Sequence, residues 1–342
     1  MSLFSYLLPL FFPFLVAAFA THAVRGYALK RLLDLPNTRS SHSVPTPRGG
    51  GLGIVAALVL ATIQLYGLGW VSLDWLMALA GAVPVAAVGF WDDHGHVPAR
   101  WRLLAQFAAA GWALYWLGGF GELRFAGEAY ALGGLGMPLG LLFIVWVLNL
   151  FNFMDGIDGI AGVETLTVGF TLAALIGLDP APVLPGSAEV AAALAAAAGG
   201  FLLWNWPPAK IFMGDVGSGF VGFLLGVLAL RTAATGGPSL AVWLIALGVF
   251  FVDATFTLLR RMADGQRWYE AHRSHAYQHA AQRYGHRPVT LAVLAINLFW
   301  LGPLAWAAAR WPALEWAWLG MAYAPLLALA LRFGAGLSHG TR

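Results

Sequence analysis

Apolar segments long enough to cross roughly 30 Å of hydrocarbon recur from one end of this chain to the other, and that pattern leaves few ways to fold. Inside a bilayer every backbone N–H and C=O must be paired within the spanning element or with a closed neighbour, so only helices and closed barrels qualify. Barrel strands alternate apolar and polar residues in short segments, whereas these segments are continuously apolar, which predicts helices. Only 10% of the 342 residues are Asp, Glu, Lys or Arg and 60% are hydrophobic. An ordinary soluble domain carries about 25% charged residues. No interval between the apolar segments is long enough for a soluble domain, so a single integral-membrane domain over residues 1–342 is expected. Disulfides and thiolate metal sites are excluded, because there is no cysteine.

The predicted architecture is an all-α polytopic bundle of about eleven transmembrane helices. They are placed near residues 3–24, 50–69, 75–91, 103–121, 138–153, 160–178, 189–206, 216–235, 240–259, 289–309 and 316–334. The first segment lacks a basic start and a clear cleavage site, so it is expected to be a retained helix. With the N-terminus outside and the C-terminus cytoplasmic, all but Arg124, Arg231 and Arg310 of the 19 Lys and Arg residues fall on the inner side, as the positive-inside rule requires. Trp70, Trp75, Trp91, Trp101, Trp311 and Trp316 fall at span ends, where an interfacial aromatic belt belongs. The outer loops read as connectors. The inner loops concentrate Asp, Asn, His and Arg, which predicts that any chemistry occurs at the cytoplasmic face of the membrane. No internal repeat of the transporter kind is visible, and no nucleic-acid partner is expected.

Five inner segments carry polar constellations. "RSSHSVPTPRGGG" (39–51) offers Arg39, His42 and Arg48 to a phosphate, with glycines allowing close backbone approach; a basic loop held by anionic lipid is the competing reading. "GFWDDHGHVPARWR" (89–102) sets Asp92 beside Asp93 at a span end. Adjacent carboxylates raise each other's pKa unless a divalent metal, a basic side chain or a proton-transfer role offsets the repulsion, or unless water solvates both. Arg100 and Arg102 follow, near enough to answer the acidic pair or to hold an anionic substrate. In "NLFNFMDGIDGIAG" (149–162), Asn149, Asn152, Asp155 and Asp158 recur every three residues, so a continuing helix would place them on one narrow face. "KIFMGDVGSGFVG" (210–222) puts Asp215 where a span begins, a position that suits either an N-cap or a Mg²⁺ ligand. "RRMADGQRWYEAHRSHAYQHAAQRYGHR" (260–287) combines His272, His275, His279 and His286 with arginines, a composition suited to a diphosphate. The first three of those histidines have the spacing of a helical metal face, which the surrounding arginines disfavour.

Together these segments resemble the polyprenyl-phosphate N-acetylhexosamine-1-phosphate transferases, a membrane superfamily that starts lipid-linked glycan synthesis. The marks are "PTPRGGG", "WDD" followed by "RWRLLAQ", "NLFNFMDGIDGIAG", "FMGDVGSG" and "HRSHAYQH", in that order over residues 39 to 288. The resemblance implies transfer of a sugar 1-phosphate from a UDP-linked N-acetylhexosamine to undecaprenyl or another polyprenyl phosphate. The products would be a polyprenyl-diphosphate sugar and UMP, with Mg²⁺ as cofactor and Mn²⁺ as a substitute. It implies catalytic roles for Asp92, Asp93, Asp158, Asp215 and His275, and metal ligation by Asp215 and Asn152. It further implies substrate contacts from Arg48, Arg102, Asn149, Asp155, Phe212 and Arg273, with Phe212 stacking on uracil. A homodimer is compatible with it. Two departures stand out: Arg102 replaces a common lysine, keeping the charge but changing the geometry of phosphate contact, and Tyr277 and Gln278 replace histidines of the late motif. The subgroup that initiates O-antigen or similar surface polysaccharides is resembled more than the peptidoglycan enzymes.

A lipid phosphate with a second pKa near 6 is already mostly deprotonated at neutral pH, so charge neutralisation has a stronger claim on the mechanism than an obligatory base. Direct attack and an aspartyl-phosphate route both remain open. The alternative from another class, a secondary transporter, predicts carboxylates near mid-membrane. Asp92, Asp93, Asp155, Asp158 and Asp215 all fall at inner span ends, and Asp253 alone among the aspartates lies inside a predicted span.

Overall fold

The computed structural model describes residues 3–36, 44–178, 185–266 and 272–337, and each expected apolar segment is helical there. The order is α1 (Leu3–Arg31), β1 (Leu33–Asp34), β2 (Thr46–Pro47), α2 (Leu52–Gly67), α3 (Leu73–Ala80), α4 (Ala82–His94) and α5 (Ala99–Trp116). The hairpin β3 (Glu122–Phe125) and β4 (Glu128–Ala131) follows, then α6 (Gly136–Met154), α7 (Ile160–Gly177), α8 (Ser187–Asn205) and α9 (Asp215–Ala234). The chain continues through α10 (Leu240–Ala246), α11 (Gly248–Ala263), α12 (Ala276–Tyr284), α13 (His286–Ile296), α14 (Gly302–Arg310) and α15 (Glu315–Arg332).

Among the described residues eight helical stretches are long and apolar enough to cross a membrane, and the pair α10 and α11, bent by 87°, makes a ninth. Helix α2 has 16 residues, and α5 carries Arg100 and Arg102 in its first turn. The protein is a mostly helical polytopic membrane protein by this measure, with eight or nine long spans among the described residues against the expected eleven.

Helix α9 is the hub, with 94% of its apolar window buried inside the protein. It packs against α4 and α6, while α8 packs against α1 and α7. Lipid tails are as apolar as leucine, so helices in a bilayer gain by bringing backbones close, and small residues permit this. Gly222 on α9 is such a point, since a Cβ there would lie 2.8 Å from the Leu148 Cα of α6. Phe220, Phe223, Phe151, Phe250, Trp75 and Trp243 fill the surrounding core. The hub therefore holds its first residue, Asp215, at a fixed height against the ends of α4, α5 and α6.

Candidate active site

Adjacent residues on a helix point about 100° apart, and Asp92 and Asp93 in the last turn of α4 diverge accordingly. Asp93 turns inward and is 3% exposed. Its Oδ1 accepts a hydrogen bond from the Asp215 N–H at 3.1 Å and its Oδ2 one from Val216 at 3.2 Å. These are orphan donors of the first turn of α9, so Asp93 caps that helix from a neighbouring one. Arg48 locks the arrangement by donating from Nε and Nη2 to the Asp93 carbonyl at 3.0 and 2.7 Å. Asp92 turns the other way: its Oδ1 accepts from the Val97 N–H at 2.7 Å and its Oδ2 from Arg102 Nη1 at 2.7 Å. The same Arg102 nitrogen donates to Asp215 Oδ2 at 3.0 Å. One guanidinium thus bridges carboxylates from α4 and α9.

Asp215 was open to two readings from sequence, and the structure puts Gly214 at the N-cap with Asp215 as the first helical residue. The capping carboxylate belongs to Asp93, which leaves the Asp215 side chain partly exposed beside Arg102. Gly214 makes the approach feasible: its φ is +76°, and a Cβ there would lie 2.5 Å from Asp93 Oδ2.

The expectation of one continuous face through Asn149, Asn152, Asp155 and Asp158 is corrected. Helix α6 ends at Met154, and Asp155 is its C-cap at φ −84°, ψ 52°. Asn149 donates to Gln106 Oε1 and to the Val145 carbonyl, both at 2.8 Å. Asn152 donates to Ser218 Oγ at 3.3 Å and hydrogen-bonds Asp215. Past the helix the chain reverses, and Asp158 faces elsewhere: it pairs with His286 at 3.1 Å and accepts from the Ala209 N–H at 3.0 Å. Its carbonyl takes a hydrogen bond from Thr290. Asn152 therefore joins the Asp215 cluster and Asp158 anchors α13. Asp155 feels the whole group, since burial and then the negative charges of Asp215, Asp93 and Asp158 push its carboxyl well above the usual range.

The glycines of the first loop allow a close backbone approach to the turn before α9. Gly50 N–H donates to the Phe212 carbonyl and Gly51 N–H to the Met213 carbonyl, both at 2.9 Å, while Phe212 N–H donates to Pro47 at 2.8 Å. Gly51 also packs directly on the backbone of Gly217. The loop is a short ladder that holds the "FMGD" turn. Phe212 is half-buried beside it. Arg39 and His42 lie outside the described residues.

The late motif forms a separate cluster. Asp253 on α11 accepts from the N–H groups of Ala276 and Tyr277 at 2.9 Å each and pairs with His275 at 3.3 Å, so it caps α12 as Asp93 caps α9. His275 is the N-cap residue and 3% exposed. The helical spacing of His272, His275 and His279 does not give one face, because α12 begins only at Ala276; His279 instead pairs with the Phe333 carbonyl. His272 stacks on His275 with ring centroids 4.9 Å apart, and burial, then His275 and Arg261, push its pKa down to about 3. Arg273 is half-buried near Tyr277. Neither His275 nor Arg273 lines the groove that Arg102, Asn149, Asn152 and Asp215 share.

Sequence reasoning passed over three groups. Tyr277, noted only as a replaced histidine, donates its hydroxyl to the Phe153 carbonyl at 2.9 Å and ties α12 to the end of α6. Gln278 closes a capping box on His275; the "HAYQ" spacing resembles the capping signature and offered a signal. Glu164 on α7 is fully buried and accepts from Asn297 at 2.7 Å, and Asn297 also donates to Thr167. A lone glutamate one turn into a span gave no pattern to read.

A groove of about 420 Å³ opens beside Arg102 and Asp215. Its polar end is Arg102, Asn149, Asn152 and Asp215, and its walls are apolar residues of α4, α5 and α6, among them Val85, Leu103, Phe107, Leu142 and Trp146. The site can hold a phosphate at one end and hydrocarbon along the other. Among the described residues no three His, Asp or Glu side chains gather closely enough to hold a metal alone. The donors that do gather are hard oxygens. Arg48 pairs with Asp93, and Arg102 with Asp92 and Asp215, while burial first and then the neighbouring aspartates push Asp155 upward. Mg²⁺ is usually held by one or two carboxylates completed by water and substrate phosphates, so this donor set fits it.

Comparison with known proteins identifies the family. The sequence model of glycosyl transferase family 4 matches residues 75–233, an interval that includes Asp92, Asp93, Arg102, Asn149, Asn152, Asp155, Asp158, Phe212 and Asp215. A Bacillus subtilis protein named as a probable undecaprenyl-phosphate N-acetylglucosaminyl 1-phosphate transferase is 30% identical over 288 residues, covering 81% of this chain and 78% of the relative. A Mycolicibacterium smegmatis decaprenyl-phosphate N-acetylglucosaminephosphotransferase is 32% identical over 334 residues, covering 86% and 79%. A phospho-N-acetylmuramoyl-pentapeptide-transferase of Dinoroseobacter shibae is 31% identical over 266 residues, covering 66% and 69%. The chain belongs to glycosyl transferase family 4, the polyprenyl-phosphate hexosamine-1-phosphate transferases.

Proposed function

We propose that this chain transfers an N-acetylhexosamine 1-phosphate from a UDP-sugar to undecaprenyl phosphate, releasing UMP and starting synthesis of an O-antigen-like surface glycan at the cytoplasmic face of the inner membrane. The observation that carries this reading is the placement of the Asp92–Arg102–Asp215 bridge at the polar end of an apolar groove. A phosphate on a long hydrocarbon tail needs both halves of that arrangement.

Asp215 and Asn152 would hold Mg²⁺, which when bound neutralises and orients diphosphate oxygens. The protein's own contribution is positioning and charge. Arg102 offers the remaining guanidinium nitrogens to an incoming phosphate while Asp92 fixes its plane, as a pre-organised donor should. Asp93 and Arg48 keep the α9 N-terminus in register under Asp215. Asp155, at the end of α6, borders the acidic cluster that includes Asp215 and Asp93. The half-buried ring of Phe212 is the candidate surface for the uracil base.

Purified protein with Mg²⁺ and undecaprenyl phosphate, assayed against a panel of UDP-sugars, is expected to release UMP with one N-acetylhexosamine donor. Chelation should stop release, and Mg²⁺, or Mn²⁺ in its place, should restore it. Folded protein that releases no UMP with any donor sinks the proposal.

A further inference from the structure

Helix α9 runs 20 residues from Asp215 to Ala234, about 30 Å, and at its far end lies a second cavity unconnected with the groove. It measures about 180 Å³, room for several waters at roughly 30 Å³ each. Its lining combines Arg124 of β3, Gly236 and Gly237 after α9, Ser239 before α10, and Glu315 at the start of α15. It pairs a basic with an acidic side chain at this end of the bundle.

Glu315 is the unusual member. It is 3% exposed, and it takes hydrogen bonds from the Ser239 hydroxyl and the Ala126 N–H, yet its Oε2 has no hydrogen-bond partner. A buried carboxylate oxygen left unpaired is costly, and a donor from outside the protein would relieve it. Arg124 lines the same cavity on an exposed strand and makes no ion pair with Glu315. The Ala126 N–H is presented by a tight turn. Ala126 has φ +52°, the one non-glycine residue with positive φ among those described, and it sits with Gly127 at the tip of the β3–β4 hairpin. Positive φ at both of these residues is what a two-residue hairpin turn requires.

The rim is aromatic and apolar. Trp316 packs on Phe125 with ring centroids 4.2 Å apart, and Trp306 on Trp311 at 5.7 Å. Trp306, Trp311 and Trp316 remain about half exposed, as does Leu314. Tryptophans of this kind sit at the headgroup level of a bilayer. The cavity thus opens where lipid headgroups lie.

We propose that this cavity binds the phosphoethanolamine headgroup of a membrane phospholipid, with Glu315 accepting hydrogen bonds from the ammonium and Arg124 donating to the phosphate. A quaternary choline headgroup has no N–H to give Glu315, and a glycerol headgroup has no positive charge, so the site discriminates by headgroup. The acyl chains lie along the exposed tryptophan and leucine surface. The proposal is independent of the transferase chemistry.

The test uses the full-length chain, delipidated in detergent. It is titrated with dihexanoyl phosphatidylethanolamine, the matching phosphatidylcholine and phosphatidylglycerol, and glycerophosphoethanolamine without acyl chains. Binding is read by native mass spectrometry and by the shift in unfolding temperature. Phosphatidylethanolamine is expected to bind roughly tenfold or more tightly than the other two lipids, as the loss of one charge-assisted hydrogen bond implies. Glu315→Gln keeps the shape and Arg124→Ser changes only an exposed strand position; each should erase the preference while cooperative unfolding is retained. Equal binding of phosphatidylcholine and phosphatidylethanolamine, or an unchanged preference in folded Glu315→Gln, overturns the site. Binding of the tail-less compound as tightly as the lipid overturns the lipid assignment.

Discussion

The carboxylate of Asp93 accepts hydrogen bonds from the backbone N–H groups of Asp215 and Val216, so a residue on α4 sets where α9 begins. The position of the Asp215 side chain, and with it the bridge through Arg102 to Asp92, depends on that cap. Asp93→Asn keeps the volume but surrenders the charge and one acceptor. A loss of about 1–3 kcal/mol of stability is expected, together with reduced turnover, and thermal unfolding alongside UMP release would measure both. Unchanged stability would show that the cap contributes nothing.

Gly214 tests the same relationship from the other side. At φ +76° and ψ 169° it occupies a region essentially reserved for glycine, and an added methyl would press on the Asp93 carboxylate. Gly214→Ala should destabilise the protein by about 1–3 kcal/mol and lower turnover at least as much as Asp93→Asn. In the double variant the two losses should fall short of their sum, because both act on one contact.

Arg102 bridges Asp92 and Asp215 through a single nitrogen and keeps the rest of its planar fork for a ligand. An ammonium is a point charge without that fork. Arg102→Lys is therefore expected to fold normally and to lose about tenfold or more in kcat, the equivalent of one charge-assisted hydrogen bond. A fully active Lys variant would mean that charge alone suffices.

Asp155 carries the pH signature. Its carboxyl lies well above the usual range through burial and the charges of Asp215, Asp93 and Asp158. The unfolded chain releases this proton near pH 4, whereas the folded protein retains it. Stability without divalent metal therefore falls as pH rises from about 4 through the raised value. Asp155→Asn should unfold at a higher temperature than the parent at about pH 7.5 in chelator, with the difference closing towards pH 4. The same variant is expected to transfer less sugar phosphate, and a variant both fully active and no more stable would contradict this role.

The positions of the helices were legible because hydropathy is a local property. Each of the eleven expected segments contains a helix, and the polar marks sit at the ends where the motifs placed them. The count of long spans was less legible. Helix α2 is short, α5 is charged in its first turn and α10–α11 bends by 87°, and none of these depends on average hydropathy alone. The spacing of Asn149, Asn152, Asp155 and Asp158 misled for a related reason, since a periodicity holds only while the helix lasts and Met154 ends it.

Composition and motif order were enough to place this chain in a membrane, to define its apolar helices and to mark the polar residues at their ends. Which carboxylate caps and which bridges was decided in three dimensions. Asp92 and Asp93 are neighbours in sequence, yet one meets Arg102 and the other the N-terminus of α9. A helical turn of about 100° per residue sends adjacent side chains to different neighbours, and the identity of those neighbours depends on how α4, α5 and α9 pack.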